Sequence, residues 1–319
     1  MPINIMEVKM RKIFLISMLA LLGVCVFAQN LKLIDLGGEG ESYLFFNDKE
    51  LYLVLPYVGE YAKLDRKALN YDKDGFLKFN YKNKSLLIID GDRMRQYFTD
   101  FQNDGENKYD DSNDGFHNSN IKNISASSSF SETIKGRKIS YTPDNLGKCF
   151  YIGCKCHPYW WNYAHIPWVE GVAGNGTGES VTIEYEKDVC GISILNGYTD
   201  INNMKLFKEN ARIKTLLIED CVSGKSQTVE LEDKVYFYYV PVENATKIRL
   251  TIKDVYPGTK YQDTCLSAVI DHTYQFNGNN HYDYFLRETK NLHLEPAETV
   301  LEDYFVKEID LFESKYPKN

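Results

Sequence analysis

The chain has 319 residues, a formal net charge of −8 and a sequence isoelectric point of about 5.4. Acidity of this degree excludes nucleic acids and anionic membrane surfaces as partners, because both require basic patches. The length exceeds that of a usual single hydrophobic core, so we expect two folded domains.

The first 28 residues are typical of a secretory signal peptide. Arg11 and Lys12 precede an apolar run over residues 13–27, and Val26 and Ala28 fit the usual small-residue cleavage pattern. The apolar run is too short to span a membrane, and a polar chain follows it. We therefore predict an exported protein, in the periplasm, on the cell surface or secreted, without a transmembrane span after cleavage.

The cysteines fit an oxidising compartment. Cleavage after Ala28 would remove Cys25. The alternative is that Cys25 is a lipoprotein anchor, but Val24 is larger than the residue that usually precedes such a cysteine. The remaining six cysteines are Cys149, Cys154, Cys156, Cys190, Cys221 and Cys265. An even number in an exported chain predicts up to three disulfides, and the pairing stays open. Zinc bound by the first three and His157 is an alternative, but their spacing is not that of a zinc finger, so we expect no metal.

Residues 29–98 are predicted to form a small N-terminal β domain. Apolar and polar residues alternate in four segments that are separated by turn residues, which is typical of an antiparallel meander. The segments are Ser42–Phe46, Glu50–Val58, Gly75–Tyr81 and Lys84–Asp90.

Residues 99–123 are predicted to be a polar, acidic linker. Asp110, Ser112, Asp114 and Gly115 resemble half of a calcium-binding loop. Ile121 stands where such a loop has its bidentate glutamate, so a solvated linker is the favoured interpretation.

A second domain is predicted over residues 124–275. The period-two alternation expected of half-buried strands recurs in four segments: Glu179–Tyr185, Gly191–Leu195, Lys214–Asp220 and Lys247–Val255. Loops are expected at residues 196–203, 222–227 and 241–246. Short strands and turns without a helix of ten or more residues between them favour a mostly β fold, a sandwich or barrel.

Several motifs in this domain resemble a known family. They are ISASSSFSE from Ile124, ISYTPDNL from Ile139, PWVEG from Pro167, the GNGTGE turn, NGY, KENARIK and VYPGTKYQDT from Val255. In this order they are similar to the discoidin-like (coagulation factor type C) domains, in the variant named for NAD glycohydrolase translocation. The resemblance implies a galactose-binding-like jelly-roll β-sandwich and favours glycan recognition.

The sequence departs from this family at two places. Asp263 and Thr264 lead into Cys265, Leu266, Ser267 and Ala268 rather than into Ile-Ser-Glu, so a calcium-ligating glutamate is missing. The second departure is an insertion at Gly147–Ile166 that holds Trp160 and Trp161 among several tyrosines and histidines. We interpret it as a stacking platform for sugars, or alternatively as a loop that packs on the end of the sandwich.

Residues 276–319 are predicted to be a C-terminal extension with a helix. Pro296 suits a first helical turn, and Val300, Leu301, Tyr304 and Phe305 begin a broad apolar face. This face is expected to pack on the rest of the protein, with a partner-binding helix as the alternative.

These features predict an exported, non-enzymatic module without a cofactor, which binds a glycan or glycoconjugate. The candidate ligand-binding residues are Trp160, Trp161, Trp168, Glu170, Asn196, Tyr198, Asn210, Arg212 and Tyr256, as rings that stack on a sugar and side chains that bind its hydroxyl or acidic groups. The alternative is a module that docks a secreted or envelope protein. A glycoside hydrolase with Glu170 and Glu179 as paired carboxylates is the third hypothesis.

Overall fold

The computed structural model describes residues 31–37, 42–92, 116–117, 120–149, 166–200, 203–273 and 285–297. Its strands, in chain order, are β1 (Lys32–Gly37), β2 (Ser42–Phe46), β3 (Leu51–Leu55), β4 (Glu60–Leu64), β5 (Leu69–Tyr71), β6 (Leu77–Tyr81), β7 (Lys84–Ile88), β8 (Phe116–His117), β9 (Ile121–Ala126), β10 (Phe130–Ile134), β11 (Arg137–Tyr141), β12 (Lys148–Cys149), β13 (Trp168–Val169), β14 (Ser180–Asn196), β15 (Ala211–Asp220), β16 (Ser226–Glu230), β17 (Phe237–Tyr256), β18 (Thr264–His272) and β19 (Glu295–Pro296). The helical segments are 3₁₀ turns at Arg66–Ala68 and Pro143–Gly147, the helix α1 (Lys205–Glu209) and a π-helical turn at Arg287–Asn291.

The chain contacts divide the protein into two units. In the first, β1–β4 form an antiparallel meander, and β19 adds to it as a parallel edge strand beside β4. Its core contains Tyr43, Phe45 and Val54 together with Leu294 from the C-terminal segment. Of the four segments predicted to form one meander, only Ser42–Phe46 and Glu50–Val58 contribute strands to this sheet, and its fifth strand comes from the other end of the chain.

The second unit contains β5–β7 as well as the sandwich, since the boundary falls between residues 66 and 67. Strands β5–β7 are a separate three-stranded antiparallel sheet. Backbone bonds attach this segment to the sandwich: Val235 N donates to Gly75 O over 2.7 Å, and Phe237 N donates to Asp90 O over 2.9 Å.

Two long, bent strands build the sandwich. The first half of β14 pairs with β9 and with the second half of β17, whereas its second half pairs with β18 and with the first half of β17. Register shifts between Glu184 and Gly191 mark the bend. The core lies between the two layers and includes Ile183, Ile194 and Ile248. The fold is mostly β and is a discoidin-like jelly-roll sandwich, as predicted.

Several predicted elements differ in detail. Residues 180–185 and 191–195 belong to one continuous strand, β14, and the loop expected at residues 241–246 lies inside β17. Both differences have the same cause: a bulged strand can bend from one layer to the other without a break in pairing. Strand β9 begins at Ile121, inside the predicted linker, because residues 121–126 pair with β14.

The predicted helix from Pro296 falls mostly outside the described residues. At its start the structure has strand β19 instead, because Glu295 N donates to Gly59 O over 2.9 Å and Ala297 N donates to Tyr61 O over 2.7 Å. Residues 1–28 and the calcium-like loop at 110–115 also lie outside the described residues. No helix in the described part of the chain is long and apolar enough to cross a membrane.

Candidate functional site

Two predicted site residues support the Gly-rich turn at residues 171–178. Trp168 is 1% exposed, and its indole N–H donates to Ser128 O over 3.0 Å. Glu170 is fully buried, and its two oxygens accept bonds from the N–H groups of Val172 and Thr264 at 2.9 and 3.2 Å. A Cβ on Gly176, whose φ is +66°, would lie 2.4 Å from Glu170 Cγ, so the turn requires glycine there. Burial raises the pKa of Glu170.

Asn196 connects two strands of the sandwich. Its amide nitrogen donates to Ile213 O over 2.7 Å, and its amide oxygen accepts from Ile213 N and Gly197 N at 3.1 and 2.9 Å. Asn210 ends helix α1, where its side-chain amide donates to Leu206 O over 2.9 Å. Both asparagine side chains are buried and bonded to the backbone.

Arg212 lies in a buried ion-pair cluster. Its Nε and Nη2 donate to the two oxygens of Asp233 at 2.8 and 3.1 Å, and Nη1 donates to Asn210 O over 2.7 Å. Lys208 Nζ also pairs with Asp233, at 2.8 Å. The half-buried ring of Tyr256 packs 6.0 Å from the guanidinium. The carboxylate partner of Arg212 is thus Asp233.

Trp160 and Trp161 lie outside the described residues, and so do Cys154, Cys156 and His157. The segments that flank their loop are described. Asn145 donates its side-chain N–H to Pro167 O over 3.2 Å, which joins the two sides of the loop base.

Tyr198 belongs to an aromatic cluster that the sequence analysis did not identify. Its ring meets Tyr141 edge-to-face, with centroids 6.2 Å apart, and Tyr141 stacks on Phe130 at 6.0 Å. Tyr141 Oη donates to Glu132 Oε1 over 2.7 Å. We call Phe130, Glu132, Tyr141 and Tyr198 the Tyr198 cluster. Tyr198 therefore joins a group of aromatic side chains and one carboxylate.

A β-hairpin positions three members of this cluster. Strands β10 and β11 pair Phe130 with Tyr141 and Glu132 with Ile139, so these four side chains share one face. Lys135 and Gly136 both have positive φ, 50° and 77°, as a two-residue hairpin turn requires. The alternating segment Ser129–Tyr141 around Lys135-Gly136 is a hairpin signal that could have revealed this element from the sequence.

The cluster is half-buried at the edge of a small core. Phe130 and Tyr198 pack against Val169 and Cys265, and both remain partly accessible to solvent. Burial raises the pKa of Tyr198 to about 12, and the charges of Asp200 and Glu132 act in the same direction. Burial and the bond to Glu132 raise the pKa of Tyr141. Glu132 Oε2 has no partner among the described residues, so one acceptor of the cluster is open.

The described residues contain no group of three or more His, Cys, Asp and Glu side chains that could hold a metal ion. Cys221 and Cys265 are free thiols. The prediction of three disulfides is therefore wrong for these two positions. Strands β14 and β18 place Cys190 and Cys265 in buried positions, and burial together with the charge of Asp263 raises the pKa of the Cys265 thiol.

A family model confirms the resemblance noted above. Residues 161–271 match the NAD glycohydrolase translocation F5/8 type C domain. No curated protein matches the sequence.

The solved structures that are similar include two from glycoside hydrolases. CBM32-3 of a family 31 glycoside hydrolase from Clostridium perfringens is 14% identical, with a TM-score of 0.31, 51% of this chain and 97% of that chain covered. GH31 CBM32-2 bound to GalNAc is also 14% identical, with a TM-score of 0.29 and coverages of 49% and 100%.

A third similar structure is the arabinofuranosyltransferase AftD from Mycobacteria. It is 13% identical, with a TM-score of 0.30, and 49% of this chain is covered. The chain spans 11% of the length of AftD. We draw no conclusion about a ligand from similarities this distant.

Proposed function

We propose that this protein is an exported, non-enzymatic module that binds carbohydrate at the Tyr198 cluster. The observation that carries the proposal is that two partly exposed rings, Phe130 and Tyr198, lie in one cluster with the open carboxylate oxygen of Glu132. The F5/8 type C match over residues 161–271 supports it.

The chemistry of the cluster suits a sugar. An aromatic face binds the C–H groups of a pyranose ring, while nearby acceptors bind its hydroxyls. Phe130 and Tyr198 supply the rings, and Glu132 Oε2 supplies an acceptor. The participation of Trp160 and Trp161 stays a prediction.

A binding role also fits the hydrogen bonds of Glu170 and Glu179, the two carboxylates of the glycoside hydrolase hypothesis. Glu170 binds two backbone N–H groups, and Glu179 Oε2 accepts from the hydroxyls of Ser127 and Ser128 at 2.6 and 2.5 Å. Both side chains hold the Gly-rich turn in place. We therefore assign them a structural role rather than a catalytic one.

Docking of a secreted or envelope protein is the second candidate. The description of the matching family refers to the translocation of an NAD glycohydrolase. Ile134 at the hairpin tip, Ile166 and Val172 are each about 40% exposed, which provides apolar surface for a protein partner.

A glycan-array screen of the protein from Gln29 onward tests the proposal. Wild type is compared with Tyr198→Ala and with Tyr256→Ala, which removes another half-buried tyrosine of the same domain. We expect glycan binding by wild type, retention in Tyr256→Ala and a loss of about tenfold or more in Tyr198→Ala. If folded wild type binds no glycan, the carbohydrate proposal is wrong and protein docking becomes the leading candidate.

A further inference from the structure

The Tyr198 cluster lies in a negative environment. Glu132 is part of the cluster, and the charge of Asp200 acts on the Tyr198 hydroxyl. The charges of Asp263 and Glu170 raise the pKa of the Cys265 thiol, which packs in the same small core, whereas the charge of Arg212 lowers it. Carboxylates thus outnumber cations among the charges that act on this core.

Two cations of this domain are paired with a carboxylate, and a third lies at the tip of the hairpin. Arg212 and Lys208 share Asp233 as their partner. Arg137 lies on the same hairpin face as Glu132, but it is exposed and pairs across the hairpin with Ile134 at the tip. The rings of Phe130 and Tyr141 lie at the opposite end of that face.

From this arrangement we propose that the protein binds neutral or amine-bearing glycans and rejects acidic ones, with Glu132 as the specificity-determining residue. The inference rests on the proposed carbohydrate function. Glu132 can accept hydrogen bonds from hydroxyl or ammonium groups through its open oxygen, whereas a sugar carboxylate on the same rings would meet a like charge.

We expect a substantial difference in affinity between neutral and acidic glycans. Two like charges a few ångströms apart at a half-buried site repel by enough to weaken binding roughly tenfold or more. Salt screens this repulsion, so the preference for the neutral ligand should narrow at about 0.5 M salt. Removal of the Glu132 charge should reduce the preference for the neutral ligand at every salt concentration.

Paired ligands with and without an acidic group test the inference. Immobilised oligogalacturonate is compared with its methyl-esterified form, and sialylated array glycans with their desialylated forms. Wild type, Glu132→Gln and Glu186→Gln are measured on each pair. Glu186 is an exposed carboxylate beside Asn120, at the β14 bend, and its substitution makes the same charge change as a control.

We expect wild type and Glu186→Gln to prefer the neutral member of a bound pair by about tenfold, and Glu132→Gln to lose most of this preference. Equal or tighter binding of the acidic member by wild type would overturn the inference and leave the carbohydrate function intact. So would an unchanged preference in Glu132→Gln. Failure of folded wild type to bind any member would instead refute the carbohydrate function, and the inference with it.

Discussion

Two groups of residues in the sandwich domain differ in how completely their hydrogen bonds are made. Around Asn196 and Arg212, side-chain donors and acceptors are buried and bonded to the backbone or to Asp233. In the Tyr198 cluster the rings of Phe130 and Tyr198 are partly exposed, and Glu132 keeps one open oxygen. Completed hydrogen bonds therefore distinguish the framework residues from the candidate site.

The strongest test of this comparison is removal of Asp233. Asp233→Ala would leave the Arg212 guanidinium buried without its counter-charge, and we expect the free energy of unfolding to fall by about 4 kcal/mol. Urea denaturation measures this change. Asp254→Ala is the control, because Asp254 pairs with Lys214 at 2.8 Å while both side chains are about half-exposed. Asp254→Ala should lower the free energy of unfolding by less than about 1 kcal/mol. Equal decreases in the two variants would contradict a structural role for the pair of Arg212 and Asp233.

Asp271 extends the comparison to a buried group whose bonds are incomplete. Its Oδ1 and the nearby Tyr185 hydroxyl are buried without hydrogen-bond partners among the described residues. Burial raises the pKa of Asp271 to about 6, although a bond with Asn120 acts against the shift. The folded state therefore holds a proton on this carboxyl more tightly than the unfolded chain does.

This shift predicts a pH dependence of stability with a definite sign. The contribution of Asp271 to the free energy of unfolding should fall by about 3 kcal/mol as the pH rises from about 4 to about 6, and stay level above that. Asp271→Asn should remove this dependence and stabilise the protein at neutral pH. Urea denaturation of wild type and Asp271→Asn at pH 4.5 and 7.5 measures the effect. If the two proteins differ in free energy of unfolding by the same amount at both pH values, the prediction is wrong.

Asn196→Ala tests the framework with an uncharged group. The substitution leaves the Ile213 N–H and C=O and the Gly197 N–H without their amide partner inside the domain. We expect a loss of about 2 kcal/mol in the free energy of unfolding, measured by urea denaturation. Asn175→Ala is the control, because Asn175 is exposed and its side chain bonds only to Thr177. Similar decreases in the free energy of unfolding for Asn196→Ala and Asn175→Ala would show that burial of the asparagine does not determine its contribution to stability.

The sequence allowed the sandwich and its strands to be predicted, because alternation of apolar and polar residues reports which face of a strand is buried. It did not reveal that β14 and β17 each cross between layers, since a bulge preserves local alternation on both sides of the bend. The pairing of β19 with β4 joins residues more than 230 positions apart, and local pattern carries no such information.

The site was less predictable than the fold. Tyr198 was identified, but Phe130 and Glu132 were not, because they become neighbours of Tyr198 only when the β10–β11 hairpin folds against the small core of Val169 and Cys265. Arg212 and Asn196 were proposed as ligand contacts because their side chains suit sugars. Their actual partners, Asp233 and Ile213, are 21 and 17 residues away along the chain and were not evident from spacing.

The smallest expected effect concerns the Tyr198 cluster, the partly exposed group of the two. Phe130→Ala removes a half-buried ring stacked on Tyr141, so binding of the glycan selected on the array should weaken by about 1 kcal/mol, roughly fivefold. Ile134→Ala is the control, because Ile134 lies on the same hairpin face but at its exposed tip. Titration calorimetry with both variants measures the difference. A loss confined to Phe130→Ala would place the sugar over the rings, whereas an equal loss in Ile134→Ala would move the binding surface to the hairpin tip and favour a larger, protein-like partner.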